Sequence, residues 1–556
     1  MLNEASNAKY SPVTTRDEQR SIATAAAKKK DILDDDGYAN KVKLFLTSAS
    51  SAKSSKITSP KKYKYACTTL LILGFILSLL LTIFIWFTDL YTSELYKRLT
   101  IENGSLLYDA WREPPVRPLM CVYIFNYTNF AEFVANDGSN NIKLKVQEVG
   151  PYCYRETSYR VNITDHKNGS QTFNEMKIQE FDYNSSNGSD SDIIVVPDIP
   201  YIIAIALTKD ENFFIRKSVS SYLDNASEYP FVVVSVYDFC FGYQNDMTNA
   251  INTLAKIGNK TPPFEKFGLF VKRVGVNQDR LTVFNGHDNL NQMGQLMQLN
   301  GKSLLHPWKT DECNTVGGSD GMFFPRYEVQ NGQNVNLFHK ESCRKLPMTF
   351  RSRKKIKNGI IGHLYTLAHD AFNNSIPENS CYNVGASPMP DGVFDMGACS
   401  SNSPLLVSRA HFLYSNPSLL NAIEGLNPDP KKHEFLWIID PLIGITIETE
   451  MRIQLNVQVR NPNNYGTLSK IPDNTILPFT WFEIKTGEIS PKLDMLLFNL
   501  TYTVPWLQMF LMCLSLVGLL VTSFFLMRML TKRSNIVIIS NEIQPKDKPI
   551  EKIPIV

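Results

Sequence analysis

Two long apolar stretches lie near the ends of the chain. Ala66–Phe87 and Val504–Met527 contain no charged residue. Each is long enough to cross the roughly 30 Å core of a bilayer as a helix, and such a helix satisfies its own backbone hydrogen bonds inside lipid. The pattern predicts two transmembrane helices, at 65–88 and 504–527.

Between these stretches, apolar and polar residues alternate. In Ile445–Val459 every second position is apolar except Thr449, and no intervening position is apolar. A period of two predicts a strand with one apolar face, and about 50 Å of strand at about 3.3 Å per residue suits a large barrel or twisted sheet. Further strands are predicted at Cys121–Tyr127, Ile142–Glu148, Ile193–Val196, Phe231–Val236, Gly268–Val274, Phe435–Ile439 and Ile476–Lys485.

Helical patterns are fewer. The clearest covers 202–223, which we interpret as two short helices with a break near Asp210. The segment between the membrane spans has no internal repeat and no linker rich in Gly, Ser and Pro. We therefore expect one mainly β domain with some helices at 89–503, here called the ectodomain.

Basic residues flank each apolar stretch on the side of the nearer chain end: Lys61, Lys62, Lys64, Arg528, Lys532 and Arg533. Lys and Arg next to membrane helices stay in the cytosol. Both tails, 1–64 and 528–556, are therefore predicted to be cytosolic. Neither tail shows a sustained hydrophobic period, so both are predicted to lack regular structure, and 1–64 to be disordered.

Glycosylation sequons support this topology. The Asn-x-Ser/Thr pattern occurs ten times, always between the two apolar stretches, where an extracytosolic domain would carry glycans. The acceptors are Asn103, Asn126, Asn162, Asn168, Asn184, Asn187, Asn225, Asn259, Asn373 and Asn499.

Charge is also divided along the chain. The first tail carries 13 Lys/Arg and 7 Asp/Glu, the last 6 and 3, and the whole chain has a net charge of +3. The ectodomain is therefore net negative. Because nucleic-acid affinity depends on neutralising phosphates, nucleic acid is not expected as a partner. A local basic run, Arg351–Lys357, would either meet phospholipid heads or polyanions or protect a strand edge.

Seven cysteines lie in the ectodomain: Cys121, Cys153, Cys240, Cys313, Cys343, Cys381 and Cys399. Extracytosolic compartments oxidise thiols, so disulfides are expected, and an odd number leaves at least one Cys free or paired between chains. No Cys-x-x-Cys or His/Cys spacing fits zinc, so no metal and no cofactor is predicted. Cys67, near the cytosolic end of the first span, is either a palmitoylation site or a passive membrane cysteine.

Catalytic signatures are missing from the sequence. It contains no Gly-x-Ser-x-Gly elbow, no His-Glu-x-x-His and no phosphate-binding glycine loop. We therefore expect a protein that is not an enzyme. Two other classes share the two-span topology, a ligand-gated channel and the accessory subunit of a lipid-flipping ATPase. The Leu/Ile/Phe-rich spans do not favour a polar pore.

Several short blocks resemble the class B scavenger receptor family, which includes fatty-acid translocase, lysosomal integral membrane protein and sensory neuron membrane proteins. The blocks, in order, are Trp111…Pro114-Pro115-Val116, Tyr123–Asn129, Glu148-Val149-Gly150-Pro151-Tyr152, Phe241-Gly242-Tyr243, Val283-Phe284-Asn285-Gly286, His411-Phe412-Leu413-Tyr414, Gly425–Pro428 and Asp440-Pro441-x-x-Gly444. Their order and spacing match the family over about 111–485.

The resemblance implies a large irregular antiparallel β-barrel with a bundle of short helices at its apex and a tunnel that carries lipid to the bilayer. It implies disulfides Cys313–Cys381 and Cys343–Cys399, and leaves Cys121, Cys153 and Cys240 unassigned. The helical region aligns with the family's apex, where ligands dock. Its binding candidates are Lys209, Phe213, Phe214, Arg216 and Lys217; the alternative is a solvated face over ordinary core aromatics.

The function implied is a receptor for fatty acids, cholesterol, phospholipids or lipoproteins, with a possible homo-oligomer. Residence is expected at the plasma membrane, or alternatively in the lysosomal or endosomal membrane. A lysosomal protein of this kind would act as a lipid exporter or as a receptor that carries an enzyme to the lysosome.

Overall fold

The computed structural model describes residues 60–88, 90–105, 107–135, 142–208, 212–226, 230–244, 248–249, 252, 266–356, 359–385, 389–400, 402–461, 466–486 and 490–542. Of the two tails predicted to lack regular structure, 1–64 and 528–556, residues 1–59 and 543–556 lie outside these residues.

Two long helices, α1 (Pro60–Phe87) and α13 (Val504–Glu542), match the two apolar stretches. Both are long and apolar enough to cross a membrane. α1 begins at Pro60 and residues 528–542 continue α13, so the prediction of tails without regular structure is wrong for 60–64 and 528–542.

The chain divides into two compact units. One contains residues up to Phe84 and from Cys513 onward, and the other contains Ile85–Met512. In the first unit, the hydroxyls of Ser78 and Thr82 lie 3.5 and 3.4 Å from the carbonyl oxygen of Ser515. Small polar residues of this kind allow membrane helices to approach closely.

The second unit is built mainly from antiparallel strands. They are β1 (Leu119–Tyr127), β2 (Val146–His166), β3 (Ser170–Phe181), β4 (Ile193–Pro197), β5 (Phe231–Ser235), β6 (Gly275–Phe284), β7 (Leu296–Leu299), β8 (Val335–His339), β9 (Arg344–Lys355), β10 (Ile361–Leu367), β11 (Val393–Asp395), β12 (Leu405–Ser408), β13 (Leu436–Ile439), β14 (Thr446–Gln458) and β15 (Ile476–Lys485).

Short helices connect these strands. They are α2 (Leu90–Lys97), α3 (Tyr108–Arg112), α4 (Phe130–Ala135), α5 (Ile199–Leu207), α6 (Phe213–Ala226), α7 (Val236–Phe241), α8 (Asp311–Asn314), α9 (Arg326–Gln330), α10 (Pro417–Ala422), α11 (Pro430–His433) and α12 (Pro491–Phe498). A π-helical turn, Asn499–Thr503, joins α12 to α13. The two helices predicted in 202–223 correspond to α5 and α6.

One large sheet forms a nearly closed barrel. Its strand order is β7-β6-β3-β2-β1-β15-β14-β13-β10-β9-β8, with β12 also paired to β14 and β11 to β12, while β4 and β5 form a separate pair. The two ends of the sheet meet at Ser319, which bridges both Gln295 beside β7 and Leu337 in β8. The predicted mainly β barrel is confirmed.

The longest predicted strand, β14, differs from expectation in its polar face. Arg452, Gln454 and Asn456 are buried as fully as the apolar Ile453 and Val457. The polar side chains are hydrogen-bonded: Gln454 accepts the backbone N–H of His411, and Asn456 donates to the hydroxyl of Ser408. Polar groups stay in a protein interior when they are paired in this way.

One strand prediction fails and another is met only in part. Residues 268–274 form turns instead of a strand, because Leu269 and Phe270 donate backbone N–H groups to Phe239 and Cys240. The strand predicted at Ile142–Glu148 begins only at Val146, since the backbone N–H of Lys145 is bound by the side chain of Asn129.

Three disulfides link the ectodomain: Cys121–Cys153, Cys313–Cys381 and Cys343–Cys399. The last two are the pairs that the family resemblance implies. The first joins neighbouring residues of β1 and β2. Cys240 is a free thiol in the core, where burial raises its pKa to about 12.

Candidate functional site

The first turn of α6 brings most of the predicted binding residues together. Asn212 precedes the helix, and its side-chain oxygen accepts the backbone N–H of Ile215 at 3.0 Å, as a helix cap does. The helix therefore starts at Phe213. We call Phe213, Phe214, Arg216 and Lys217 the aromatic–basic turn. The fifth candidate, Lys209, lies outside the described residues.

The two aromatic rings of this turn project into solvent. Phe213 is 66% exposed and Phe214 is 80% exposed, and their ring centroids are 5.9 Å apart. Ile215 between Phe214 and the basic pair packs against the core instead. Adjacent exposed phenylalanines contribute little to folding, and exposed apolar groups of this kind mark interaction surfaces.

The two cations of the turn have no acidic partner among the described residues. Lys217 is exposed and Arg216 is half-buried. The Nε of Arg216 is buried and has no hydrogen-bond partner in the part of the chain that the structure describes.

A second polar cluster surrounds the carboxylate of Glu148 on β2. One oxygen of Glu148 accepts hydrogen bonds from His411 Nε2 at 2.5 Å and from Trp481 Nε1 at 2.7 Å. The ring of His433 stacks on that of His411 with centroids 4.4 Å apart. Both imidazoles are buried, whereas the Glu148 side chain is 35% exposed.

Glu148, His411 and His433 are close enough to be considered as metal ligands, since their donor atoms lie within 4.8 Å of one another. Their hydrogen bonds argue against this role. The backbone N–H of Asn427 donates to His411 Nδ1, and that of Asp429 donates to His433 Nδ1. When Nδ1 accepts a hydrogen bond, the proton of a neutral imidazole is on Nε2, so neither nitrogen has a free lone pair for a metal. A histidine that binds a metal through one nitrogen usually donates a hydrogen bond from the other.

The pKa values follow from these contacts. Burial opposes ionisation of Glu148, but the donors His411 and Trp481 lower its pKa below the usual value. Burial, aided by the neighbouring His411, lowers the pKa of His433 to about 4. The cluster therefore keeps His433 neutral down to acidic pH while the carboxylate stays charged.

A small cavity lies where the ectodomain approaches the second predicted span. Its volume is about 120 Å³, and it is bounded mostly by apolar side chains. The lining residues are Leu95, Tyr96, Leu442, Ile443, Leu500, Val504, Pro505 and Gln508. Its place next to Val504 brings it to the start of α13.

The remaining predicted sites are spread over the surface. Asn103, Asn162, Asn168, Asn184, Asn187 and Asn499 are exposed, whereas Asn126 and Asn373 are half-buried. The side chain of Asn126 accepts the backbone N–H of Val195. Asn225 lies on α6, and Asn259 lies outside the described residues. Cys67 is exposed on α1. Glycosylation and palmitoylation at these residues stay predictions.

The Glu148 cluster was not predicted as a site. Its members are far apart in sequence, and Glu148 and His411 are separated by 263 residues. A signal was present, since both residues lie in blocks that resemble the scavenger receptor family. Those blocks identify the residues, but only the fold brings them together.

Comparisons with known proteins agree with this architecture. The family model described as CD36 family matches residues 70–529. Scavenger receptor class B member 1 of Mus musculus is 29% identical over 407 residues, which are 73% of this chain and 77% of that protein. Lysosome membrane protein 2 is 28% identical in Mus musculus and 26% in Homo sapiens, in each case over 72% of this chain and 81% of the relative. With its two candidate membrane helices and barrel, the chain belongs to the CD36 family.

Proposed function

We propose that this protein is a two-span membrane receptor that captures lipids or lipoproteins at the aromatic–basic turn and passes lipid through the ectodomain to its own membrane. The observation that carries the proposal is the exposure of Phe213 and Phe214 beside Arg216 and Lys217, which have no acidic partner among the described residues.

The turn has the two chemical features of an amphiphile binder. Fatty acids and phospholipids have an anionic head and an acyl chain, and the turn offers guanidinium and ammonium groups next to bare aromatic rings. Arg binds carboxylate and phosphate through charge-assisted hydrogen bonds. The aromatic surface shields methylene groups from water at about 0.8 kcal/mol each.

Delivery to the membrane requires continuous cover for the chain. About fifteen exposed methylenes would cost about 12 kcal/mol in water, so a lipid should travel through the ectodomain instead of through solvent. Two features support this route. The strands form a barrel, a fold that can enclose a ligand, and the cavity of about 120 Å³ lies at the start of α13.

Capture is tested with the double variant Arg216→Glu/Lys217→Glu in full-length protein on transfected cells. Binding of a fluorescent fatty acid and of labelled lipoprotein is measured at 4 °C, normalised to surface receptor. We expect binding to fall by about tenfold or more, as loss of a charge-assisted contact implies. The matched control is Lys302→Glu/Lys309→Glu, which reverses two exposed lysines elsewhere.

Equal binding by wild type and the Arg216/Lys217 variant would remove this turn from the capture site. A fall in both double variants would show a general charge effect instead.

Delivery is tested separately with Leu442→Trp, which enlarges a half-buried side chain that lines the cavity. We expect ligand binding to stay at the wild-type level and the rate of lipid uptake to fall severalfold. Undiminished uptake would place the route elsewhere.

Lysosomal residence is a second candidate, favoured by the similarity to lysosome membrane protein 2. There the same capture and delivery would export lipid or carry an enzyme to the lysosome. Imaging of the tagged full-length protein with surface and lysosomal markers separates the two locations. Currents evoked by ligand would instead support a channel, and co-purification of a P-type ATPase would support an accessory subunit.

A further inference from the structure

The basic run of β9 ends in a hairpin that reaches the base of the ectodomain. β9 pairs with β10, and Lys355 lies opposite Ile361 next to the turn. The phenolic hydroxyl of Tyr502 donates a hydrogen bond to the carbonyl oxygen of Gly359 in this turn at 2.7 Å. Ile360 lies in the same buried apolar cluster as Leu497 and Leu500. Gly359 and Ile360, the described residues just before β10, are therefore held against the segment that leads into the second span, whereas Lys357 of the basic run lies outside the described residues.

The position of Tyr502 relative to the predicted span indicates that it should lie near the membrane surface. It lies two residues before Val504, about 3 Å along a helix axis, and Val504 begins the predicted span. Tyr502 is 40% exposed and Trp506, one turn further, is 69% exposed. Tyr and Trp concentrate at the boundary between lipid and water. Because the hairpin turn is bonded to Tyr502, it should lie among the lipid headgroups.

Two cations of the hairpin have no acidic partner in the described part of the chain. Arg353 and Lys355 are both exposed, and neither forms an ion pair among the described residues. Lys354, by contrast, lies 3.9 Å from Glu448. Alternate residues of a strand share a face, so Arg353 and Lys355 point the same way.

The lysine at the hairpin end lies closest to the membrane anchor. A Cβ on Gly359 would lie 3.2 Å from the Tyr502 hydroxyl and 3.6 Å from Cε of Lys355. The Lys355 side chain therefore runs beside the turn that Tyr502 holds. Arg353 is about 7 Å further along the strand, which is within the Debye length of the same surface.

We propose that the β9–β10 hairpin binds the phosphate groups of anionic phospholipids in the extracytosolic leaflet of the protein's own membrane, through Arg353 and Lys355. This contact is independent of the proposed ligand capture. It would hold the base of the ectodomain on the bilayer and enrich anionic lipid there. The charged run is more than a protected strand edge, because Gly359 next to it is bonded to Tyr502, two residues before the predicted span.

The test measures lipid enrichment next to the hairpin in full-length protein reconstituted in nanodiscs. Ser352→Cys, on the strand face opposite Arg353, carries a donor dye, and the exposed Cys67 and Cys513 are replaced by Ser. Energy transfer is compared for acceptor-labelled phosphatidylserine and phosphatidylcholine at equal low mole fraction. Since each basic residue near a surface attracts anionic lipid, we expect about fivefold more phosphatidylserine than phosphatidylcholine at the probe.

Arg353→Glu/Lys355→Glu should abolish this preference, and 0.5 M salt should weaken it. Arg353→Gln/Lys355→Gln gives the same test without charge reversal if the first variant folds poorly. Lys302→Glu/Lys309→Glu should leave the preference unchanged. Equal transfer from both lipids in the wild type would overturn the proposal, as would a preference that survives in both hairpin variants. Heparin binding that depends on Arg353 and Lys355, without lipid preference, would assign the hairpin to a soluble polyanion instead.

Discussion

Cations are held in opposite ways in the barrel wall and at the aromatic–basic turn. In the wall, Lys177 and Arg273 lie 3.2 and 2.7 Å from the carboxylate of Glu156, whose side chain is only 5% exposed. At the turn, Arg216 and Lys217 have no carboxylate partner among the described residues. The same side-chain chemistry thus serves folding where the partner is built in, and under the proposed function it binds a ligand where no partner is built in.

The pKa of Glu156 reflects its ion pairs with Lys177 and Arg273. Burial alone would raise this pKa, but Lys177 and Arg273 lower it to about 2. A buried charge of this kind is stable only while its partners remain. The difference between the two regions can therefore be tested by removing charge from each and comparing stability with binding.

The largest effect is expected for Glu156→Gln. It leaves Lys177 and Arg273 without their shared carboxylate, so the free energy of unfolding should fall by about 3 kcal/mol or more. Thermal melting of the full-length protein in detergent measures this loss. Glu180→Gln is the control, because Glu180 pairs with Arg117 at the surface, where a pair contributes less than about 1 kcal/mol. If Glu156→Gln melted at the wild-type temperature, as the control should, the ion pairs of Glu156 would not stabilise the fold.

A smaller effect on stability is expected when His433 is protonated at low pH. His433 is buried like Glu156, but no ion pair of the described residues includes it. Its pKa is about 4 in the folded protein and 6.5 ordinarily. The unfolded chain therefore binds the proton more tightly, and stability is lost as pH falls from about 6.5 to 4. Between pH 7 and 5 the loss should be about 2 kcal/mol.

His433→Asn should remove this part of the pH dependence, because its amide oxygen can still accept the N–H of Asp429. The comparison is the change in melting temperature between pH 7 and 5 in wild type and variant. An identical change in both would show that His433 does not titrate in this range.

The smallest effect on stability is expected at the aromatic–basic turn itself. Phe213→Ala/Phe214→Ala removes two exposed rings, so the free energy of unfolding should change by less than about 0.5 kcal/mol per residue. Ligand binding should nevertheless fall severalfold. A large drop in melting temperature would show that these rings stabilise the fold and would contradict their assignment to a binding surface.

Sequence patterns predicted elements well where the signal is local. The strand Ile476–Lys485 and the two helices on either side of Asp210 agree with β15, α5 and α6. The failures arise where tertiary contacts override the pattern. Residues 268–274 have a strand-like composition but form turns, because their backbone is bonded to Phe239 and Cys240.

The candidate sites show the same division. The aromatic–basic turn is contiguous, so its grouping followed from four neighbouring residues on a helix. The Glu148 cluster joins residues from distant parts of the chain. The β9–β10 hairpin contacts Tyr502 through Gly359, which is 143 residues away in sequence. The hydrophobic period of a single segment cannot predict these contacts, because they depend on which strands pair.

The barrel closes at Ser319 through isolated bridges, so this seam should be the part of the wall that opens most easily. Elsewhere, neighbouring strands are joined by ladders that must break together. Among the described residues, the backbone hydrogen bonds across this seam run from the N–H of Leu296 to Gly318, from that of Ser319 to Asn336 and from that of Phe338 to Ser319. Under the proposed lipid route, widening of the barrel would therefore concentrate there, and amide hydrogens at 296, 319 and 338 should exchange with solvent sooner than those of the β14–β15 ladder.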